Sequence, residues 1–388
     1  MSPLRLRHIH LACSPTEGIY PSYKTAAALQ EFLRRRLLDF KDAESSSARP
    51  SRAPSPTLIS FTPQPTYTLG RRQASSGAGS ASPGPSALSP AEIARLKAPL
   101  HIRSSLAHGL SEIGLGEPTQ EGGEHNDNDT TTTAAQADPT HSEHVFNPAV
   151  LTSPRGGLAT YHGPGQVVLW PVMVIRSPAP LGYRQFTVRC YSRLLEEATA
   201  GLLQRLFGLR GFTTEDPGVW VRTPPPRPAG SSGAAGGKGD EVGEGEVRKI
   251  SALGIHLRRH VSSLGAAINL DMPTTRGGVA SSTSSDNVSS PGGGVGEEQS
   301  NPWARFLACG LEGKGVTCVQ EELRANGGAG IPGLHSEVVA RAWAEELAKR
   351  MDLGEHGDVE LVGRDEIADL VGTAEREGYL DEVGRDEL

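Results

Sequence analysis

"RGGLATYHGPGQVV" spans Arg155 to Val168 and runs straight into the apolar stretch that ends at Ile175. It sets glycines at 156, 157, 163 and 165, with one proline, around a Tyr-His pair. About half of the other glycines lie in stretches rich in Ser, Pro and acidic residues. Glycine permits positive φ and lets backbone approach a ligand or a neighbouring strand closely. "QVVLWPVMVI" (166–175) has the continuous apolar character of a buried strand. Pro171 would suit a bulge or an unpaired position within it. A phosphate cradle is disfavoured, because there is no GxxxxGK[ST] and no GxGxxG leading into a helix. Two readings stay open on this stretch alone: a tight turn between strands, and a fixed histidine at a site.

Working outward, "LRLRHIHLA" (4–12) alternates with period two, as a half-buried strand does. "SYKTAAALQEFLRRRLLDF" (22–40) places Ala26, Leu29, Phe32, Leu33, Leu37 and Phe40 on one helical stripe. Residues 57–73 read as a strand, a turn and a second short strand. Residues 183–209 are the strongest helix candidate, with Phe186, Cys190, Leu194, Ala198 and Leu202 on one face. "PGVWVRT" (217–223) reads as a strand, and 247–272 as two strands around a turn. Residues 335–353 form an amphipathic helix with Ser336 as its cap. Strands and helices interleave without a βα rhythm. The expected class is therefore α/β (α+β), a mixed β-sheet flanked by helices rather than a doubly wound sheet.

Composition limits how much of the 388 residues can pack. Gly 47, Pro 29, hydrophobics at 36% and aromatics at 5% are too lean for a core throughout. One domain over 1–353 is expected, interrupted by low-complexity insertions at about 74–144, 224–246 and 274–300, with 354–388 as a C-terminal extension. Only a weakly helical patch near 90–106 breaks the first insertion. The net charge of −7, without a basic run, argues against nucleic-acid binding. No apolar run approaches the ~20 residues of a membrane span. No secretory signal is evident, so the final "RDEL" reads as coincidence. Cysteines at 13, 190, 309 and 318 form no CxxC pair, so neither structural zinc nor a disulfide framework is expected.

Two further positions stand out. Lys249 heads the apolar strand "KISALGIHL", where an ordinary surface lysine is the plain alternative. Cys309, in "ACGL" (308–311), sits against glycine and is open to approach from one side; a buried apolar cysteine is the alternative. Cys190, on the helix stripe, fits that alternative better. "GVTCV" makes Cys318 a neighbour worth following.

Taken in order, "LGRR" (69–72), "RGGLATYHGPGQ" (155–166), "GVWV" (218–221), "KISALGI" (249–255), "LGAAIN" (264–269) and "ACGLEGKGVTCVQEEL" (308–323) resemble the signature blocks of the lipoyl(octanoyl) transferase family. The resemblance implies a biotin/lipoate protein ligase-like fold. It implies transfer of an octanoyl group from octanoyl-acyl carrier protein to a lysine of a lipoyl domain, through a cysteine thioester. The implied acceptors are the lipoyl domains of 2-oxoacid dehydrogenase E2 subunits and the glycine cleavage H protein. By the same match Cys309 is the nucleophile and Lys249 the partner that lowers its pKa. Arg155, Gly156, Gly157, Leu158, Ala159, Thr160, Tyr161 and His162 would line the acyl site, with Tyr161 and His162 orienting the substrate. Ala252, Leu253, Gly254, Gly265, Ala266 and Ala267 would line it from the other side. No cofactor and no metal are implied, and a monomeric mitochondrial matrix enzyme of fungal type is expected. The chain departs from the family at Ala308, where proline is usual, at Leu264, where histidine is frequent, and at "SFTPQP", where many members carry Glu-His. An ATP-dependent lipoate–protein ligase and a non-catalytic lipoyl-domain-binding protein are the alternatives.

Overall fold

The computed structural model describes residues 4–43, 54–74, 87–105, 141–178, 181–224, 245–275, 295–306, 314–328, 330–331, 334–354 and 358–384. In chain order its strands are β1 (Leu6–Leu11), β2 (Thr57–Phe61), β3 (Thr66–Leu69), β4 (Leu100–Ser105), β5 (His141–Phe146), β6 (Ala149–Thr152), β7 (Ala159–His162), β8 (Gln166–Val172), β9 (Gly218–Thr223), β10 (Glu246–Arg258), β11 (Val261–Asn269), β12 (Gly315–Val316) and β13 (Val359–Leu361). The helices are α1 (Tyr23–Ala43), α2 (Arg71–Ala74), α3 (Pro90–Lys97), α4 (Val188–Phe207), α5 (Val295–Ser300), α6 (Val319–Ala325), α7 (Ser336–Arg350), α8 (Arg364–Arg376) and α9 (Tyr379–Gly384).

The fold is mixed α/β, as the element pattern predicts. The principal sheet runs β12-β10-β11-β8-β2-β1-β13, with β9 on the far edge of β10. Its centre is antiparallel, while β1 pairs in parallel with both β2 and β13. A second sheet, β6-β3-β7, carries the residues either side of the glycine turn. Every residue of β8 is buried, which explains its unbroken apolar run. Val168, Trp170 and their β2 partners Phe61 and Ile59 face α1, where Tyr23 packs edge-on against Phe61 and Trp170. The opposite sheet face carries α4 and α7, which pack on each other.

These layers enclose one large aliphatic core. A smaller, aromatic one fills the space between the second sheet and the β9/β12 edge, around Tyr67, Tyr161, Trp220 and Trp303. The smaller core draws Leu96, Leu100 and Ile102 from the segment expected to be a low-complexity insertion. There, Ser89 accepts the Glu92 N–H while Glu92 reaches back to the Ser89 N–H, a reciprocal cap that starts α3. β4 and β5 then form a hairpin. Residues 106–140, 225–244 and 276–294 lie outside the described residues.

Residues 359–384, within the expected C-terminal extension, pack on the domain: β13 extends the sheet, and α8 and α9 lie on α1. Two further expectations change. His335, not Ser336, is the N-cap of α7, without a side-chain cap bond; Ser336 is already helical. Cys190 is exposed in the first turn of α4, and Tyr191, one position later, takes the buried place. Pro171 meets expectation. It lies where the β8–β11 ladder is interrupted, with Leu264 at φ 61° in the left-handed region. Ser262 repairs the gap, its hydroxyl accepting the Met173 N–H at 3.0 Å and donating to the Pro171 carbonyl at 2.8 Å.

Candidate active site

β10 positions the lysine. Lys249 is its fourth residue, not its head, and pairs across the ladder with Trp220 on β9. The register then shifts: Lys249 opposes Trp220 and Ser251 opposes Val219, so Ile250 is the extra residue of a β-bulge. The bulge resets the alternation of side chains. Ile250 enters the large core, and Lys249 comes to the same face as Ala252, whose partner Gly218 is two residues from Trp220. Gly254 continues that face.

β11 completes it. Ala252 opposes Ala267 and Gly254 opposes Gly265, so the face beside Lys249 is paved with the smallest side chains. A Cβ on Gly265 would stand 2.2 Å from the Leu169 carbonyl oxygen, and one on Gly254 would stand 2.8 Å from Arg155 Cδ. Larger residues at either position would force the strands or Arg155 aside. Leu253 and Ala266 alternate with Ala252, Gly254, Gly265 and Ala267 along the paired strands and point to the opposite face, so these two do not share the Lys249 face.

The glycine turn approaches from the second sheet. Arg155 is buried, and its guanidinium is spent on the turn itself: Nη1 donates to the Gly156 and Leu158 carbonyls, and Nη2 to the Thr68 carbonyl at 2.6 Å and to Thr68 Oγ1 at 3.0 Å. Gly157 holds φ 91°, which a side chain would strain. Gly156 is exposed, Leu158 and Thr160 half-buried. β7 then alternates. Ala159 and Tyr161 face the aromatic core, whereas Thr160 and His162 face the other way. Tyr161 and His162, both expected to orient the substrate, therefore point to opposite faces of β7. The Tyr161 hydroxyl lies over Gly163, and Tyr161 and Gln166 both line a cavity of about 1250 Å³ that reaches His10, Cys13 and Glu337.

His162 is held by two contacts. It stacks on Tyr23, with ring centroids 5.6 Å apart, and its Nδ1 meets Gln166 Oε1 at 2.8 Å. Gln166 Nε2 donates to Asn269 Oδ1 at 2.9 Å, and Asn269 Nδ2 donates to the Thr317 carbonyl at 2.9 Å. A carbonyl only accepts, so the chain has one direction: Nδ1 carries the proton and Nε2 is the ring's acceptor. Burial lowers the His162 pKa to about 4, with the Arg155 charge adding to it, so the ring is neutral near pH 7. Thr317 also links back to the lysine strand, its N–H donating to the Lys249 carbonyl at 2.9 Å. Beneath it, Glu322 Oε1 accepts from Arg248 Nη2, Thr223 Oγ1 and Thr317 Oγ1 at 2.8, 2.7 and 2.6 Å, a buried knot joining β9, β10, β12 and α6.

Lys249 Nζ lies over the Trp220 ring, 4.6 Å from its centroid. Lys314 Nζ lies 5.0 Å from the same centroid and 2.5 Å from Asp216 Oδ2. Cys309 lies outside the described residues. Among the described cysteines, Cys318 is buried at the start of α6, and burial raises its thiol pKa, which disfavours the thiolate. Cys13, also raised by burial, faces α7 near Ser336. Among the described residues no group of three or more His, Cys, Asp or Glu could hold a metal ion, and no helix is long and apolar enough to cross a membrane.

Sequence reading alone singles out neither Trp220 nor Gln166, Asn269 or Lys314. All four stand in the quoted blocks: "GVWV", "RGGLATYHGPGQ", "LGAAIN" and "ACGLEGKGVTCVQEEL". A buried-strand Gln and Asn so close to an apolar run are the visible signal, since such groups need partners.

Residues 144–293 match the family described as the lipoyl protein ligase A/B catalytic domain. An octanoyltransferase of Bordetella petrii is 38% identical over 135 residues, 34% of this chain and 52% of that protein. The mitochondrial octanoyl-[acyl-carrier-protein]:protein N-octanoyltransferase LIPT2 of Xenopus tropicalis is 32% identical over 170 residues, 44% and 47% of the two chains. The mitochondrial octanoyltransferase of Saccharomyces cerevisiae is 28% identical over 133 residues, 32% of each. The chain thus spans about half the length, or less, of these curated relatives. Among solved structures, a bipartite lipoate protein ligase of Thermoplasma acidophilum has a TM-score of 0.45 and 11% identity, covering 97% of this chain and 92% of that one.

Proposed function

We propose, from the chain's membership of the lipoate/octanoyl transferase–ligase superfamily, that it attaches an octanoyl or lipoyl group to a lysine of a lipoyl domain. One observation carries the reading. The bulge at Ile250 turns Lys249 onto the face of Ala252, Gly254, Gly265 and Ala267, so the smallest side chains stand beside its ammonium. His162, neutral and held in one tautomer, offers a hydrogen-bond acceptor there rather than a charge.

The finer reading is an octanoyltransferase of the mitochondrial matrix, fungal in type, with octanoyl-acyl carrier protein as donor. Its acceptors would be lipoyl domains of 2-oxoacid dehydrogenase E2 subunits and the glycine cleavage H protein. In it the Cys309 thiolate attacks the octanoyl thioester, and the carrier thiolate leaves and takes the Lys249 proton, which leaves Lys249 neutral. Exchange of one thioester for another is nearly isoenergetic and keeps the acyl group activated. A free thiol with pKa ~8.5 is mostly protonated at neutral pH, and the Lys249 cation favours its ionised form. The acceptor lysine amine then attacks the acyl carbonyl, the Cys309 thiolate leaves, and Lys249, neutral at that moment, takes the amine's proton. The curated relatives' names support this branch.

The ligase branch, in which ATP activates a free acid, has support of its own: the matched catalytic domain is described for lipoyl protein ligases A and B alike. One experiment separates them. The purified full chain is incubated with a lipoyl domain and either octanoyl-acyl carrier protein without nucleotide or octanoate with ATP and Mg²⁺, and the domain is weighed by mass spectrometry. Octanoylation from the carrier protein alone is expected. Modification that requires ATP would establish the ligase branch, and no modification under either condition would end the proposal.

A further inference from the structure

Two ammonium groups share one buried indole. We propose that Trp220 and the Lys314–Asp216 pair are positioning residues for Lys249: together they hold its ammonium on the acyl face and set the pH at which it gives up its proton. This rests on the reading of Lys249 as the proton carrier of acyl transfer.

The indole is a fixed platform. Trp220 has no exposed surface, and its Nε1–H donates to the Asp216 carbonyl at 3.2 Å. Its backbone is bonded both ways to Phe212, N–H to carbonyl, at 2.9 Å. Asp216 therefore grips the edge of the ring with its backbone and Lys314 with its carboxylate. The turn is stiffened by the Asp216 N–H on Thr214 Oγ1 at 3.2 Å and the Gly218 N–H on Glu196 Oε1 at 3.0 Å. Because Lys249 and Trp220 are a cross-strand pair, the lysine stem lies along the indole.

The charges oppose one another. The negative face of the ring and the Asp216 carboxylate favour the Lys249 ammonium. Lys314 disfavours it, because two ammoniums within 4.6 and 5.0 Å of one centroid lie within about 10 Å of each other. On the ladder itself Lys249 has only uncharged neighbours, Trp220 on β9 and Val316 on β12. Arg248 and Glu322 pair on the other face of β10. Asp216 registers both cations: its carboxyl is held below the ordinary value by the Lys314 hydrogen bond first, and by the Lys314 and Lys249 charges after that. A lysine poised between an attracting ring and a repelling neighbour suits a group that must be charged in one half-reaction and proton-accepting in the next.

The test titrates Lys249 directly. Lysines of the full chain are reductively methylated with ¹³C, the Lys249 resonance is assigned by its loss in Lys249→Arg, and its midpoint is followed by NMR. In Lys314→Met the midpoint should rise by about 0.3–1 pH unit, since a repelling charge goes and Asp216 is released toward Lys249. In Asp216→Asn it should fall. Lys314→Arg should hold it near the wild-type value, because the second cation remains. Both altered side chains are more than a third exposed, so the fold tolerates these changes. A midpoint unmoved in either Lys314→Met or Asp216→Asn, or moved the other way, overturns the proposal. Octanoyl transfer by the same wild-type preparation is measured alongside. Transfer with unmoved midpoints rejects the positioning role alone, and moved midpoints without transfer reject the acyl-transfer reading alone.

Discussion

The large core and the aromatic core are held together by different means. The first is aliphatic and periodic: stripes of Leu, Ala and Val on α1, α4 and α7 close on strands whose patterns match them. The second collects Tyr67, Tyr161, Trp220, Trp303 and Val316 from separate segments, and polar anchors stitch it. Tyr67 donates its hydroxyl to the Pro302 carbonyl at 3.1 Å, and Arg305 donates to the Ala98 and Pro99 carbonyls at 2.6 Å each. Lys249 lies at the junction, its neighbour Ile250 in the first core and its ring partner Trp220 in the second. Damage to the first core should therefore cost stability, and damage to the second should also reach the chemistry.

The largest effect belongs to the first. Trp343 is fully buried, and its Nε1–H donates to Thr199 Oγ1 at 3.0 Å. Trp343→Ala should cost about 3–5 kcal/mol in denaturant unfolding, with transfer per folded molecule unchanged. A shifted pH profile of transfer in that variant would break the distinction between the cores.

Leu100, fully buried in the second core, comes next. Leu100→Ala should cost about 2–4 kcal/mol and should also slow transfer under conditions where the fold persists. Unchanged unfolding would mean that the hairpin contributes nothing to that core.

Acid should weaken the large core and the site beside it. His8, facing α7, and His162, at the site, each have a pKa of about 4, lowered chiefly by burial. Unfolded, each titrates near pH ~6.5. Between those values the unfolded chain binds more protons than the folded one. Stability is thus complete above pH ~6.5 and is lost as pH falls toward about 4, by up to roughly 3 kcal/mol per histidine. Unfolding curves from about pH 7 down to about pH 5 should show a steady decline that His8→Asn reduces; a flat profile would place both rings in a more polar setting than this.

The smallest effect is the most local. Asn269→Ala leaves the Gln166 amide and the Thr317 carbonyl without their partner and should cost about 1–3 kcal/mol. It should also release the His162 tautomer, which ¹⁵N NMR of the imidazole reports directly. A ring that stays protonated at Nδ1 alone would show that Gln166 suffices.

What could be read in the sequence follows the same division. The alternation read in β1, the unbroken hydrophobicity of β8, which is buried on both faces, and the helical stripes of α1 and α4 all express burial against neighbouring layers, so composition and spacing reveal them. The aromatic core has no period, because each contributor comes from a different segment, and Leu96, Leu100 and Ile102 are hidden in a polar region. At the site, the glycine block and Lys249 stand out as residue types, but the bulge at Ile250 does not. It depends on how β9 pairs with β10, and it decides that Lys249 joins Ala252 and Gly254. Tyr161 and His162 are adjacent in the chain, and the alternation of β7 sends them to opposite faces.

The most direct test of the account is single-turnover acylation of the full chain by octanoyl-acyl carrier protein, with the adduct mapped by peptide mass and the two half-reactions timed across pH. The account predicts a thioester on Cys309. It predicts that Lys249→Met slows both halves, the proton-transfer half by about 10²–10⁴-fold, and moves the self-acylation profile to higher pH. Lys249→Arg should recover part of the first half only, since arginine keeps the charge but stays protonated. An adduct on Cys318, Cys190 or Cys13 with Cys309→Ala turning over normally, or unchanged rates in both halves for Lys249→Met, would contradict it.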